Sequence, residues 1–118
     1  PPKWSAAMLH TRFVVALEGQ GNTSALLAPD SLELMTRRPA LENHDKQNAW
    51  YGLGWRIRQK PEGVGWWHSG YLHGSLSLMT RSWDGYTWCV LLNSSTEVPR
   101  KTLDGLDEML GAAARRAF

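Results

Sequence analysis

The sequence predicts an α+β fold in which an antiparallel β-meander of three to four strands carries helices before and after it. Three observations predict it. Apolar residues recur at helical spacing near both ends of the chain, at Ala6, Leu9, Phe13 and Leu17 and again at Leu103, Leu106, Leu110 and Ala113. Between them the period changes to two, with Leu53, Trp55 and Ile57 alternating with Gly54, Arg56 and Arg58. Turn residues then punctuate the middle at Pro61-Glu62-Gly63 and Asp84-Gly85.

Each element has its own signals. Ser5 is placed to cap a first helix and Gly19 to stop it. Pro29 suits the first position of a short second helix whose apolar stripe is Leu32 and Met35, with Pro39 beyond it. Gln20 to Ser24 and residues 40–49 read as polar loops. Gly65 to Gly70 predicts a second strand, and Leu76, Leu78 and Thr80 alternate with Ser75, Ser77 and Met79 in a third. Tyr86 to Leu92 is apolar enough to predict a fourth strand covered on both faces. The last helix, with Arg115 and Arg116 near its C-terminal dipole end, is expected to pack across the sheet. Gly105 and Gly111 weaken it.

Composition sets the outer bounds. The 118 residues suit one modest core, and 42% hydrophobic with 20% charged residues excludes a disordered chain. No apolar run approaches the length of a transmembrane segment. The net charge of +2 is weak evidence for a nucleic-acid partner, which leaves a single-strand binder with Trp-bearing strands beside Arg56, Arg58 and Arg81 as the weakest option and no nucleic-acid partner expected; those three Arg read as a solvated face. Of seven Trp, six fall between Trp50 and Trp88; Trp55, Trp66, Trp67 and Trp88 are expected in the core, with Trp67 or Tyr71 reaching a cleft wall. Cys89 stands alone, which excludes an internal disulfide and predicts a small buried hydrophobe. The four histidines lack metal-ligand spacing, so neither a metal nor another cofactor is expected. Gly52-Leu53-Gly54 precedes a strand pattern and so fails as a dinucleotide fingerprint. The opening Pro1-Pro2-Lys3-Trp4 reads as the start of a piece of a longer protein.

One ordered series is more specific: Tyr51-Gly52-Leu53-Gly54-Trp55, then Trp67-His68-Ser69-Gly70 with Gly74, then Val90-Leu91-Leu92-Asn93-Ser94. It resembles the C-terminal part of the serine β-lactamase and penicillin-binding-protein-like superfamily, on the side of class C β-lactamases and their esterase and peptidase relatives. Leu26 to Leu32 with Met35 is similar to the helix preceding this region. The resemblance covers nearly all of residues 1–118 and about the last third of the family's domain, so the chain is expected to be a single partial domain. Catalysis in the family needs a Ser-x-x-Lys nucleophile, a Tyr-x-Asn or Ser-x-Asn, and a Lys-Thr-Gly-like strand. His68-Ser69-Gly70 resembles the third, in the His-x-Gly form. No Lys has a Ser three positions earlier, and no Tyr is followed two later by Asn, so this chain holds no nucleophile.

What the resemblance implies is a serine hydrolase acting by acyl transfer on an amide, ester or peptide, inactive as this chain alone. The N–H of Tyr71 would be one oxyanion donor. Ser69 would bind a substrate carboxylate or amide, Gly70 would admit close approach, and His68 would supply a donor or partial positive charge. Tyr71, where the family often has Gly, would narrow the cleft, and a peptide substrate would lie along the edge as an added strand. Alternation places His68 and Ser69 on opposite faces, so both serve one cleft only at a sheet edge. A periplasmic or secreted location follows from the resemblance alone. The alternative is a non-catalytic module holding a peptide, glycan or protein partner, with self-association through an exposed sheet.

Overall fold

The computed structural model describes residues 5–19, 24–40 and 48–118. The expected polar loops over 20–24 and 40–49 lie mostly outside the described residues, as do Lys3, Trp4, His44 and Lys46. The described chain runs α1 (Ala6–Glu18), α2 (Pro29–Thr36), β1 (Ala49–Tyr51), β2 (Arg56–Lys60), β3 (Gly63–Leu72), β4 (Ser75–Arg81), β5 (Thr87–Leu92) and α3 (Pro99–Ala117). The strands form one antiparallel meander in the order β1-β2-β3-β4-β5. The class is the α+β predicted, with five strands where three to four were expected. No helix among the described residues is long and apolar enough to cross a membrane.

The helix ends follow their signals. The Ser5 hydroxyl accepts from the Met8 N–H at 3.2 Å, and Gly19, at φ 70°, closes α1 by donating to the Val15 carbonyl. A Cβ at Gly19 would lie 2.4 Å from the Ala25 nitrogen, so only glycine lets the chain turn back there. The apolar stripe of α1 differs from its prediction: Val14 and Leu17 are buried, whereas Leu9 and Phe13 are each about half exposed. One helix laid on one sheet face buries less than its full apolar stripe.

The sheet carries a core on each face. On the first, Val14 and Leu17 of α1 and Met35 of α2 meet Trp50, Trp55, Ile57 and Trp66. Trp55 and Trp66 meet edge to face, 4.6 Å between centroids at 72°. On the second, Leu103 of α3 packs on Leu76 and Leu78, flanked by Trp67, Val90 and Leu92. Asp107 ties α3 down, accepting from the Thr80 hydroxyl at 2.7 Å and the Trp88 indole N–H at 2.8 Å. Gly111 is buried where a Cβ would lie 3.3 Å from the Trp88 ring. The glycine read as a weakness of α3 thus lets the helix pack tightly against Trp88.

Three expectations change. Arg81 is not solvated: its guanidinium forms a two-pronged pair with Glu18, at 2.8 and 2.9 Å, joining β4 to α1. β5 is covered on both faces as expected, by α1 on one and α3 on the other, but as the edge strand it is only half-buried. Cys89 is half-buried within it, and burial pushes its thiol up in pKa, so it stays protonated near neutrality. Finally, Leu53 to Ile57 is not one strand: β2 starts only at Arg56, and the alternation before it belongs to a turn.

Candidate functional site: the open edge of β3

That turn creates the site. Gly52 donates to the Trp55 carbonyl at 2.8 Å, and Leu53 donates to the Met35 carbonyl at the end of α2 at 2.9 Å. A Cβ at Gly52 would lie 2.3 Å from the Met35 oxygen, and Gly54 stands at φ 82°. The Gly-Leu-Gly run therefore folds β1 back into β2 while docking on α2. Because β2 begins at Arg56, it covers β3 only as far as the Arg56↔Trp67 pair. Residues 68–72 of β3 continue past it, paired to β4 alone.

The register decides which amides face this gap. Leu72 and Ser75 flank a two-residue loop, so they form a hydrogen-bonded pair. Alternation then turns the backbone groups of His68, Gly70 and Leu72 towards β4, and those of Ser69 and Tyr71 away from it. On the other side, Lys60 and Gly63 flank a second two-residue loop, which gives the same parity, with Gly63, Gly65 and Trp67 facing β2. The N–H groups of Ser69 and Tyr71 thus project where no strand pairs, and no other bond from them to a described residue is present.

Side chains alternate across the same segment. His68 and Gly70 belong to the α1/α2 face, in register with Met79 and Ser77; Ser69 and Tyr71 belong to the α3 face with Leu78 and Leu76. His68 and Ser69 therefore point to opposite faces beside the open edge of β3. Tyr71 is 69% exposed, Leu72 75% exposed, and Ser69 and His68 are exposed as well. A Cβ at Gly70 would stand 2.9 Å from the Ser77 hydroxyl oxygen, itself 3.4 Å from the Gly70 carbonyl that it donates to.

Trp67 is not brought to His68. It lies on the α3 face, half-buried, with the Arg58 guanidinium 4.8 Å from its ring centroid. There it borders a cavity of about 160 Å³ with Thr80, Trp83, Trp88 and Gly111. Its indole neighbours are already engaged: Arg115 stands 5.5 Å from the Trp83 ring centroid and Trp88 donates to Asp107.

The structure adds Tyr51, which the spacing of residues does not reveal. Its hydroxyl oxygen lies 3.2 Å from His68 Nε2, with the rings edge-on at 6.3 Å. The two residues are 17 apart in sequence and meet because the Gly52–Trp55 turn and the β1-β2-β3 register carry Tyr51 to the end of the gap. Among the described residues no group of three or more His, Cys, Asp or Glu could hold a metal ion.

The edge can accept an extended chain or direct two N–H donors at one ligand. The sequence matches no protein-family model and no curated protein, and the fold matches no solved structure.

Proposed function

We propose that this chain is the C-terminal portion of a β-lactamase-like serine hydrolase, which transfers an acyl group from an amide, ester or peptide. It supplies the His68-Ser69-Gly70 strand and one oxyanion donor, and the attacking hydroxyl comes from sequence outside the chain. The observation that carries the proposal is the Tyr71 N–H on a stretch of β3 that no strand covers. Attack on an acyl carbon places negative charge on its oxygen. A backbone N–H fixed in a water-poor cleft stabilises that charge without reorganising, by about 3–4 kcal/mol for one donor. Gly70 keeps the strand slim beside the reacting group, and Ser69 and His68 offer a hydroxyl and an imidazole from its two faces at the edge. The absence of any Ser-x-x-Lys in the sequence accords with a nucleophile contributed from elsewhere.

The test is to express the chain with its upstream coding sequence and treat the product with an acylating probe, a penicillin or an activated ester. A stable mass increase on a serine of a Ser-x-x-Lys segment is expected, with none on the present chain alone. His68→Ala should slow acylation about 10- to 100-fold. An upstream sequence without such a segment, or a product that never acylates, overturns the proposal. The second reading, a non-catalytic module, draws on the same gap: an open strand edge beside exposed Tyr71 and Leu72 can hold an extended peptide. Saturable peptide binding without acylation would favour it.

A further inference from the structure

We infer that Tyr51 is a positioning residue for His68, its hydroxyl donating to Nε2 and so holding the imidazole in the Nδ1–H tautomer. At a separation of 3.2 Å only one hydrogen can lie between the two atoms, either the tyrosine O–H or a proton on Nε2. A neutral imidazole has one donor and one acceptor nitrogen, and the proton borne by one fixes the role of the other. A phenolic oxygen gives part of its lone-pair density to its ring and accepts weakly, while its O–H donates well. The unprotonated imidazole nitrogen is the stronger acceptor of the two, so O–H···Nε2 is favoured over Nε2–H···O.

The fold holds Tyr51 for this task. Tyr51 is the last residue of β1 and lines up through Arg56 with Trp67 on the α3 face, so its phenol must cross the open edge of β3 to reach His68, the first residue of the gap. The turn that follows is fixed by the close approach of Gly52 to the Met35 carbonyl. The Arg56 guanidinium stands 6.0 Å from the Tyr51 ring centroid, on a neighbouring strand. With Nε2 occupied by the phenol, Nδ1–H is left as the donor of His68, and no described residue accepts from it. A histidine that must donate to a ligand at a strand edge needs its proton on the nitrogen that the protein does not use. Tyr51 meets that need.

The consequence for acyl transfer rests on the hydrolase reading; the tautomer itself rests on the geometry alone, and the measurement keeps them apart. Long-range proton–nitrogen correlation spectra of the ¹⁵N-labelled chain, at about pH 8.5 where histidines are neutral, report which ring nitrogen carries hydrogen. An unprotonated Nε2 and a protonated Nδ1 are expected for His68. In Tyr51→Phe the pattern should revert to the Nε2–H form that free imidazole side chains favour, while His10 and His73 keep theirs. A wild-type His68 protonated on Nε2 overturns the inference, as does a pattern that Tyr51→Phe leaves unchanged. The wild-type spectrum decides by itself if the variant fails to fold. An Nδ1–H His68 in a protein that never acylates would sustain the pairing and remove the hydrolase.

Discussion

At the scale of single residues, the informative positions are those where a small or polar side chain is required by a neighbour. Asp107 is one: a single carboxylate oxygen serves both Thr80 and Trp88. Asp107→Ala leaves the buried Thr80 hydroxyl and the Trp88 N–H without their partner and should cost about 2 kcal/mol or more in urea unfolding. Gly111→Leu should lower stability by a similar amount, about 1–3 kcal/mol, because the added side chain would drive α3 off Trp88. Gly105→Ala should be neutral or stabilising by up to about 1 kcal/mol, since open space surrounds it. Asp84 titrates the same surface. Burial pushes its carboxyl upward, but hydrogen bonds from Ser82 and Arg115, with the Arg115 charge, outweigh this and hold it below the usual range. A depressed folded value means that this contribution is complete above the ordinary carboxylate range and fades as pH falls through the lowered value. The stability gap between the protein and Asp84→Asn, about 0.5–1 kcal/mol for such a half-exposed pair, should therefore close on acidification.

At the scale of elements, β3 makes the sharpest distinction, because neighbouring amides on one strand have different fates. Tyr71→Pro replaces an N–H that faces the gap and should leave the fold intact. Gly70→Pro removes a ladder bond to β4 and should cost about 1–3 kcal/mol, read as a lower thermal midpoint. The sequence made the strands legible where one face is buried: Leu76, Leu78 and Thr80 alternate and are all buried in β4. It misled at Leu53 to Ile57, because Trp55 is buried by its edge contact with Trp66 and by the turn, not by strand alternation. The stripe of α1 misled for the reverse reason: helical spacing marks a face, but the sheet decides how much of that face is covered. Arg81 could not be read at all, since its partner Glu18 is 63 residues away.

At the scale of the whole molecule, the sheet lies between α1 and α2 on one face and α3 on the other, and its exposed backbone is concentrated at edges. The candidate residues His68, Ser69, Gly70 and Tyr71 were legible as a motif, but their meaning depends on where β2 begins. That depends on Gly52 meeting the Met35 carbonyl, a contact between consecutive elements that no periodicity in the sequence marks. Open edges invite strand pairing between copies. The chain should therefore associate with rising concentration in light scattering, and Ser69→Lys, which places a charge at the gap, should reduce that association.

The proposed hydrolase role needs the Tyr71 amide to stand outside the ladders formed by the described strands. Residue-resolved hydrogen exchange on the folded chain tests it most directly. Ser69 and Tyr71 should exchange at rates close to those of an unstructured peptide, while His68, Gly70 and Leu72 beside them are slowed by their bonds to β4. Uniform protection from His68 to Leu72, with Tyr71 as slow as Gly70, would contradict the account.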